Sequence, residues 1–240
     1  MMLEELRIVF DHAEPGASRS DYMAAIVDAN VLGKPTRKAR ELTLRHLTTL
    51  YGFDTSNPIF RALRRLWPLN REAQPMLALA VALARDPLLA ATQSFVLSQP
   101  VGGVVRRETV EAYISQSFPD RFSPASLKSF AQNISGSWTS GGLLSGRVQK
   151  VRTIPSAFPE SVTMLLFLGY LYGRTGQRLF SSHWTALIGR STDELEELAN
   201  SAAIRGLIVF MQSGGIKEVR FPGFLLPEEE QVLQEVRYVF

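Results

Sequence analysis

The chain has 240 residues, 45% of them hydrophobic and 20% charged, with a formal net charge of +3. That length and balance suit a folded chain with a sizeable core, arranged as one large domain or two to three small ones. The absence of cysteine excludes a disulfide framework, a thiol nucleophile and a Cys-ligated metal site, and fits a reducing cytoplasm.

Apolar periodicity and Pro/Gly punctuation predict a mainly helical chain. Helices are expected near 3–12, 20–30, 36–51, 58–67, 72–84, 86–97, 107–117, 124–139, 159–173, 179–188, 192–205 and 227–237. The first of these lies in MMLEELRIVFDHAEP, which is acidic and lacks the cationic start of a secretory signal. The third lies in TRKARELTLRHLTTLYG, where Ala39, Leu42, Leu47 and Leu50 are expected inward with Leu44 flanking. Arg37, Lys38, Arg40 and Arg45 then face outward. Arg61, Arg64, Arg65 and Arg71 follow, so residues 31–71 carry nine Lys and Arg against Glu41 and Asp54. Two apolar runs, MLALAVALA and VTMLLFLGYLYG, are shorter than the roughly 20 residues of a spanning helix. They are closed by Arg85-Asp86 and Arg174, and read as buried core helices with no membrane role.

From Arg121 to Pro159 there is no Asp or Glu, while Arg121, Lys128, Arg147, Lys150 and Arg152 are cationic. A surface facing a polyanion and a partly buried segment both explain that pattern. Within it, Ser123 and Pro124 open a helix as N-cap and first position. Leu127, Phe130, Ala131, Ile134 and Trp138 form its apolar stripe. The outward residues Ser126, Lys128, Ser129, Gln132, Asn133 and Ser137 are types that reach phosphate oxygens and base edges. Trp138, like Trp67, sits near a helix end on an apolar stripe and reads as core. After Gly141-Gly142 comes a β-prone run to Thr153, a candidate wing. Strict alternation fails there, since Val148 shares a face with Lys150 and Arg152, so an irregular wing is required.

A second cassette has a capping box at Ser191 and Glu194, and an inward face of Leu195, Leu198, Ala199 and Ala202. LIVFMQ-SGG-IKEVRF follows as a hairpin signal. This is the order of a winged helix, placed at about 159–222. Its third helix turns Asp193, Glu194, Glu196 and Glu197 outward, a poor surface for a nucleic-acid groove, although Lys217 and Arg220 remain as candidate contacts. The expected fold is a mainly α helical bundle with one or two winged-helix modules, each with a small β-hairpin. Its expected domains are 1–56, 57–157 and 158–240.

Catalytic signals are absent from the sequence. His12, His46 and His183 lack metal-ligand spacing, and there is no phosphate-binding loop, dinucleotide fingerprint, HExxH or GxSxG. A non-enzymatic chain without cofactor or metal is expected.

NVLGKPTRKARELTLRHLTTLYG, MLALAVALARDPLLAA and SPASLKSFAQNISGSWTSGGLLSG together resemble, in pattern and order over most of the chain, the BrxA-type proteins of bacterial BREX phage-exclusion systems. The resemblance implies a small, mainly helical, cytoplasmic protein with winged-helix-like parts that binds double-stranded DNA. It also implies a role as an accessory to phage defence, with other defence proteins as further partners. The residues expected to contact DNA are Lys128, Asn133, Arg147, Lys150 and Arg152, with Arg37, Lys38, Arg40 and Arg45 as a second patch. An assembly adaptor docking an acidic protein, and a sequence-specific winged-helix transcriptional regulator, fit the same basic blocks.

Overall fold

The computed structural model describes residues 1–238, which form a mainly helical chain with two small antiparallel sheets. It divides into two compact units, residues 1–65 with 78–154, and residues 66–77 with the chain from 155 onward.

The first unit opens with α1 (Leu3–His12) and α2 (Arg19–Met23), which runs into a π-helical turn over Ala24–Asp28. Next come α3 (Arg37–Tyr51), α4 (Pro58–Leu66) and α5 (Gln74–Arg85), the division between units falling within α4 and α5. Two short helices follow, α6 (Pro87–Ala91) and α7 (Gln93–Ser98), then β1 (Val104–Val105), α8 (Arg107–Ser117), α9 (Pro124–Ser140), β2 (Leu144–Ser145) and β3 (Lys150–Arg152).

An aromatic cluster of Phe10, Tyr22, Phe53 and Phe60 anchors the amino-terminal part of the core. Tyr22 stacks on Phe53 with ring centroids 4.4 Å apart, and Phe60 meets both edge-on. Such pairs add about 1 kcal/mol each beyond the area they bury. Arg64, on α4, lies 4.2 Å over the Phe10 ring and donates to the Ala13 carbonyl at 2.7 Å. One arginine of the basic block therefore caps the carbonyl end of α1. Burial lowers its pKa, yet a guanidinium keeps its charge in a protein.

The buried stripe of α3 is Thr43, Leu47 and Tyr51. Leu42, expected inward, is 42% exposed. The helix turns a threonine into the core in its place, because Thr43 satisfies its own hydroxyl on the Ala39 carbonyl at 2.8 Å. The apolar run on α5 is buried from Met76 to Leu83, as a core helix requires.

In the three-stranded sheet β3 is central, with β1 and β2 at its edges. Val104 faces Val151, and Leu144 faces Arg152. The helical pair α8 and α9 fills the connection from β1 to β2. Ser123 caps α9 by accepting the Ser126 N–H. Trp138 is fully buried and donates its indole N–H to Thr92 Oγ1 at 2.9 Å.

The second unit contains α10 (Pro159–Leu171), α11 (Gln177–Phe180), a 3₁₀ turn (Thr185–Ile188), α12 (Thr192–Ile204), the antiparallel pair β4 (Val209–Ser213) and β5 (Ile216–Arg220), and α13 (Pro227–Tyr238). From Pro159 to Gly169, α10 is buried on all sides. Phe167 packs against Phe221 and Phe224. The capping box of Ser191 and Glu194 forms at the start of α12. Gly214 and Gly215 turn β4 into β5 with φ of 55° and 82°. Lys217 is enclosed and ion-paired with Glu196, so this candidate contact is committed internally. Among the described residues no single helix is long and apolar enough to cross a membrane.

Candidate functional site

A cleft of about 500 Å³ opens in the first unit between the junction of β1 with α8, one face of α9, and the β2–β3 loop. Arg106 and Arg107 line it at the start of α8, Gln132 and Gly136 from α9, Arg147 from the loop and Lys150 from the first position of β3. Glu108 is the single carboxylate among its lining residues. Lys128 lies one helical turn before Gln132 on the same face of α9, exposed to solvent.

The four lining cations are not equivalent. Arg107 is paired with Glu108 and Glu111, each at 2.8 Å. Lys150 is half-buried and donates to the Gly146 carbonyl at 2.7 Å. Arg106 and Arg147 are exposed and remain available to an incoming anion, as does Lys128 on its neighbouring turn. The Glu108 carboxyl is held below the usual carboxylate range by a hydrogen bond from its own backbone N–H, with Arg107 and Arg106 adding to the effect. It therefore stays ionised and offsets part of the Arg107 charge.

Gly136 is informative because nothing inside the protein demands it. It stands mid-helix, where glycine costs about 1 kcal/mol relative to alanine, yet a Cβ there would meet no atom within 4 Å. The absent side chain leaves room in the cleft, whereas at Gly141 an added Cβ would lie 2.4 Å from a Leu79 methyl carbon.

Of the residues expected at the site, Arg147 and Lys150 line this cleft, and Lys128 lies outside its lining, one turn from Gln132 on α9. Asn133 is exposed on another face of α9 and lines a separate cavity with His46, Asp86 and Met1. Ser137, expected outward, is buried and accepts a hydrogen bond from the amino terminus at 2.8 Å. Arg152 is only 4% exposed. Its guanidinium donates to the carbonyls of Val96 at 3.1 Å and Leu143 at 3.2 Å, and to that of Thr153. Burial lowers its pKa. Arg152 is a strut for the sheet, and its charge is withdrawn from the surface. Alternation along β3 does put Lys150 and Arg152 on one face, but that face turns inward at Arg152.

The α3 patch is likewise divided. Arg37 pairs with Glu41 at 3.0 Å and Asp28 at 3.9 Å, and Arg40 donates to the Val27 carbonyl at 2.7 Å. Lys38 and Arg45 are exposed, and Arg45 lines a different, largely apolar cavity with Met23 and Leu44.

Arg106 and Arg107 were not anticipated. The pair straddles the start of a helix expected at 107–117, but Glu108 and Glu111 follow at once, so the local charge balance conceals it. Only the folded cleft brings it opposite Arg147.

Comparison with family models, with curated proteins and with solved structures finds no match for this chain. The chemistry of the cleft thus rests on its own residues. Exposed guanidinium groups, an amide and open space beside a glycine suit the binding of anionic oxygens. Among the described residues no group of three or more His, Asp or Glu side chains is arranged to hold a metal ion.

Proposed function

We propose that this chain is a non-enzymatic, cytoplasmic double-stranded DNA-binding protein, an accessory of a BREX-like phage-defence system, whose cleft engages the phosphate backbone. In this reading residues 104–152 are a winged helix, with α9 as the helix presented to DNA and residues 146–149 as the wing. The order strand, helix, helix, strand, strand, with the first strand paired to the last, supports that reading. The observation that carries the function is the convergence of Arg106, Arg147 and Lys150 on one cleft, flanked by Lys128 and holding one carboxylate.

The segment from α10 to β5 is read as a second winged helix that does not present its third helix to DNA. Exposed Asp193, Glu194 and Glu197 would stand against phosphates there. The defence role follows from the resemblance of NVLGKPTRKARELTLRHLTTLYG and its companion stretches, and a plaque assay with the gene deleted tests it.

Titration of a fluorescent duplex across about 50 to 300 mM salt tests the binding. Contacts from Arg106, Lys128, Arg147 and Lys150 give a log–log slope of about −3 to −4. That is shallower than a set including Arg152 would give. Arg106→Ala should lower the slope by about one and weaken unrelated sequences alike. Absence of binding, or an affinity indifferent to salt, overturns the proposal.

A further inference from the structure

A groove of about 540 Å³ runs between α2 and α3 in the first unit and shares no lining residue with the cationic cleft. Met23 and Leu44 supply apolar lining, and Met23 is 49% exposed. Arg19 and Arg45 also line the groove. Both are exposed, and neither guanidinium makes an ion pair or hydrogen bond to any described residue. Glu41 is the one acid in the lining, and Arg37 takes its charge at 3.0 Å. The groove thus offers apolar surface between two uncompensated positive charges.

In the second unit α13 has the opposite character. From Pro227 to Glu235 not one side chain is buried. A helix of 12 residues without a packed face is marginal in water, so its persistence calls for a covering surface. Glu228, Val232 and Glu235 stand at i, i+4 and i+7, a single stripe along the helix. Val232 is 57% exposed. Glu228 has no ion pair with any described residue, and Glu235 accepts from Gln231, its neighbour one turn away, at 3.0 Å.

We infer that α13 of a second copy of this chain seats in the α2–α3 groove. Val232 packs against Met23 and Leu44, while Glu228 and Glu235 meet Arg19 and Arg45. The sign of charge selects the occupant: two free guanidinium groups repel a basic segment and favour an acidic amphipathic one. Every copy supplies such a segment, because each has an open groove and an uncovered helix to offer. Two copies that exchange their helices reciprocally close the contact as a dimer. One short helix covers little area, so the association is weak and sensitive to salt. This contact is independent of the DNA-binding reading.

Sedimentation velocity of the full chain over about 1 to 300 μM should show the average mass rising from monomer toward dimer. High salt should reduce the rise. Glu228→Lys with Glu235→Lys, and separately Arg19→Glu with Arg45→Glu, should each weaken self-association on the order of tenfold. An equimolar mixture of these two double variants should recover the dimer, since each then meets opposite charges in both grooves. Val232→Asp should weaken association with no such recovery. Equal melting midpoints for the variants and the parent protein verify the fold. A chain that stays monomeric throughout overturns the inference. So does an association that both charge reversals leave intact, or a mixture of folded variants that fails to recover.

Discussion

An arginine head carries five donors on one plane, and backbone carbonyls compete with phosphates for them. In this protein the carbonyls win at Arg40, Arg64, Arg85 and Arg152. Arg85 closes the end of α3 by donating to Thr49 at 3.1 Å, as Arg64 closes the end of α1. These side chains reach backbone oxygens that a helix end or a loop would otherwise leave unsatisfied, and leaving such a group buried and unpaired costs about 1 to 3 kcal/mol. Arg106, Lys128 and Arg147 instead keep their head groups exposed. Gly136 makes the complementary point in the same cleft. Gly136→Ala should stabilise the protein by about 1 kcal/mol in a urea titration, since an added methyl meets nothing. Gly136→Gln should fill the cleft and weaken duplex binding severalfold. Destabilisation by the alanine would give Gly136 a packing role instead.

Helix starts obey local chemistry. Ser18, Thr36, Asp86, Ser123 and Ser191 each accept a first-turn N–H, and the serines before Pro124 and Thr192 were legible as caps because the bond spans only three residues. At α12 the Glu194 carboxylate accepts from the Ser191 backbone N–H and hydroxyl, and these bonds hold its pKa below the ordinary carboxylate value. A depressed carboxylate stabilises the fold above its unfolded pKa and loses that contribution as pH falls through the folded one. The melting midpoint of the natural protein should therefore exceed that of Glu194→Gln at neutral pH, and the gap should close between about pH 5 and pH 3. A gap that stays constant with pH would show that the charge plays no part. Within α3, by contrast, the exact inward face was misread by one position. Periodicity favours Leu42 over Thr43, but Thr43 can be buried once its hydroxyl is returned to the helix.

For the molecule as a whole, the net charge of +3 says little about where positive potential lies. The block at 31–71 has the larger excess of cations, yet Arg37, Arg40, Arg61 and Arg64 are engaged with carboxylates or carbonyls. The shorter stretch around Arg147 keeps more of its charge at the surface. Reversing Lys38 and Arg45 together should then cost less duplex affinity than reversing Arg106 and Arg147 together, in the same titration at one salt concentration. Equal losses would restore α3 to the interface.

Helix positions, caps and glycine turns were decided by interactions that span a few residues, and the core character of α5, α10 and Trp138 is written in apolar runs and stripes, so the sequence carries them by itself. The identity of the surface cations was decided by the tertiary structure. Arg152 reaches a carbonyl 56 positions away and Arg64 one 51 positions away, distances over which no periodicity or composition reports. A carboxylate-free stretch announces an excess of positive charge, but only the packing of strand against helix determines which guanidinium turns inward to brace the backbone and which is left facing water.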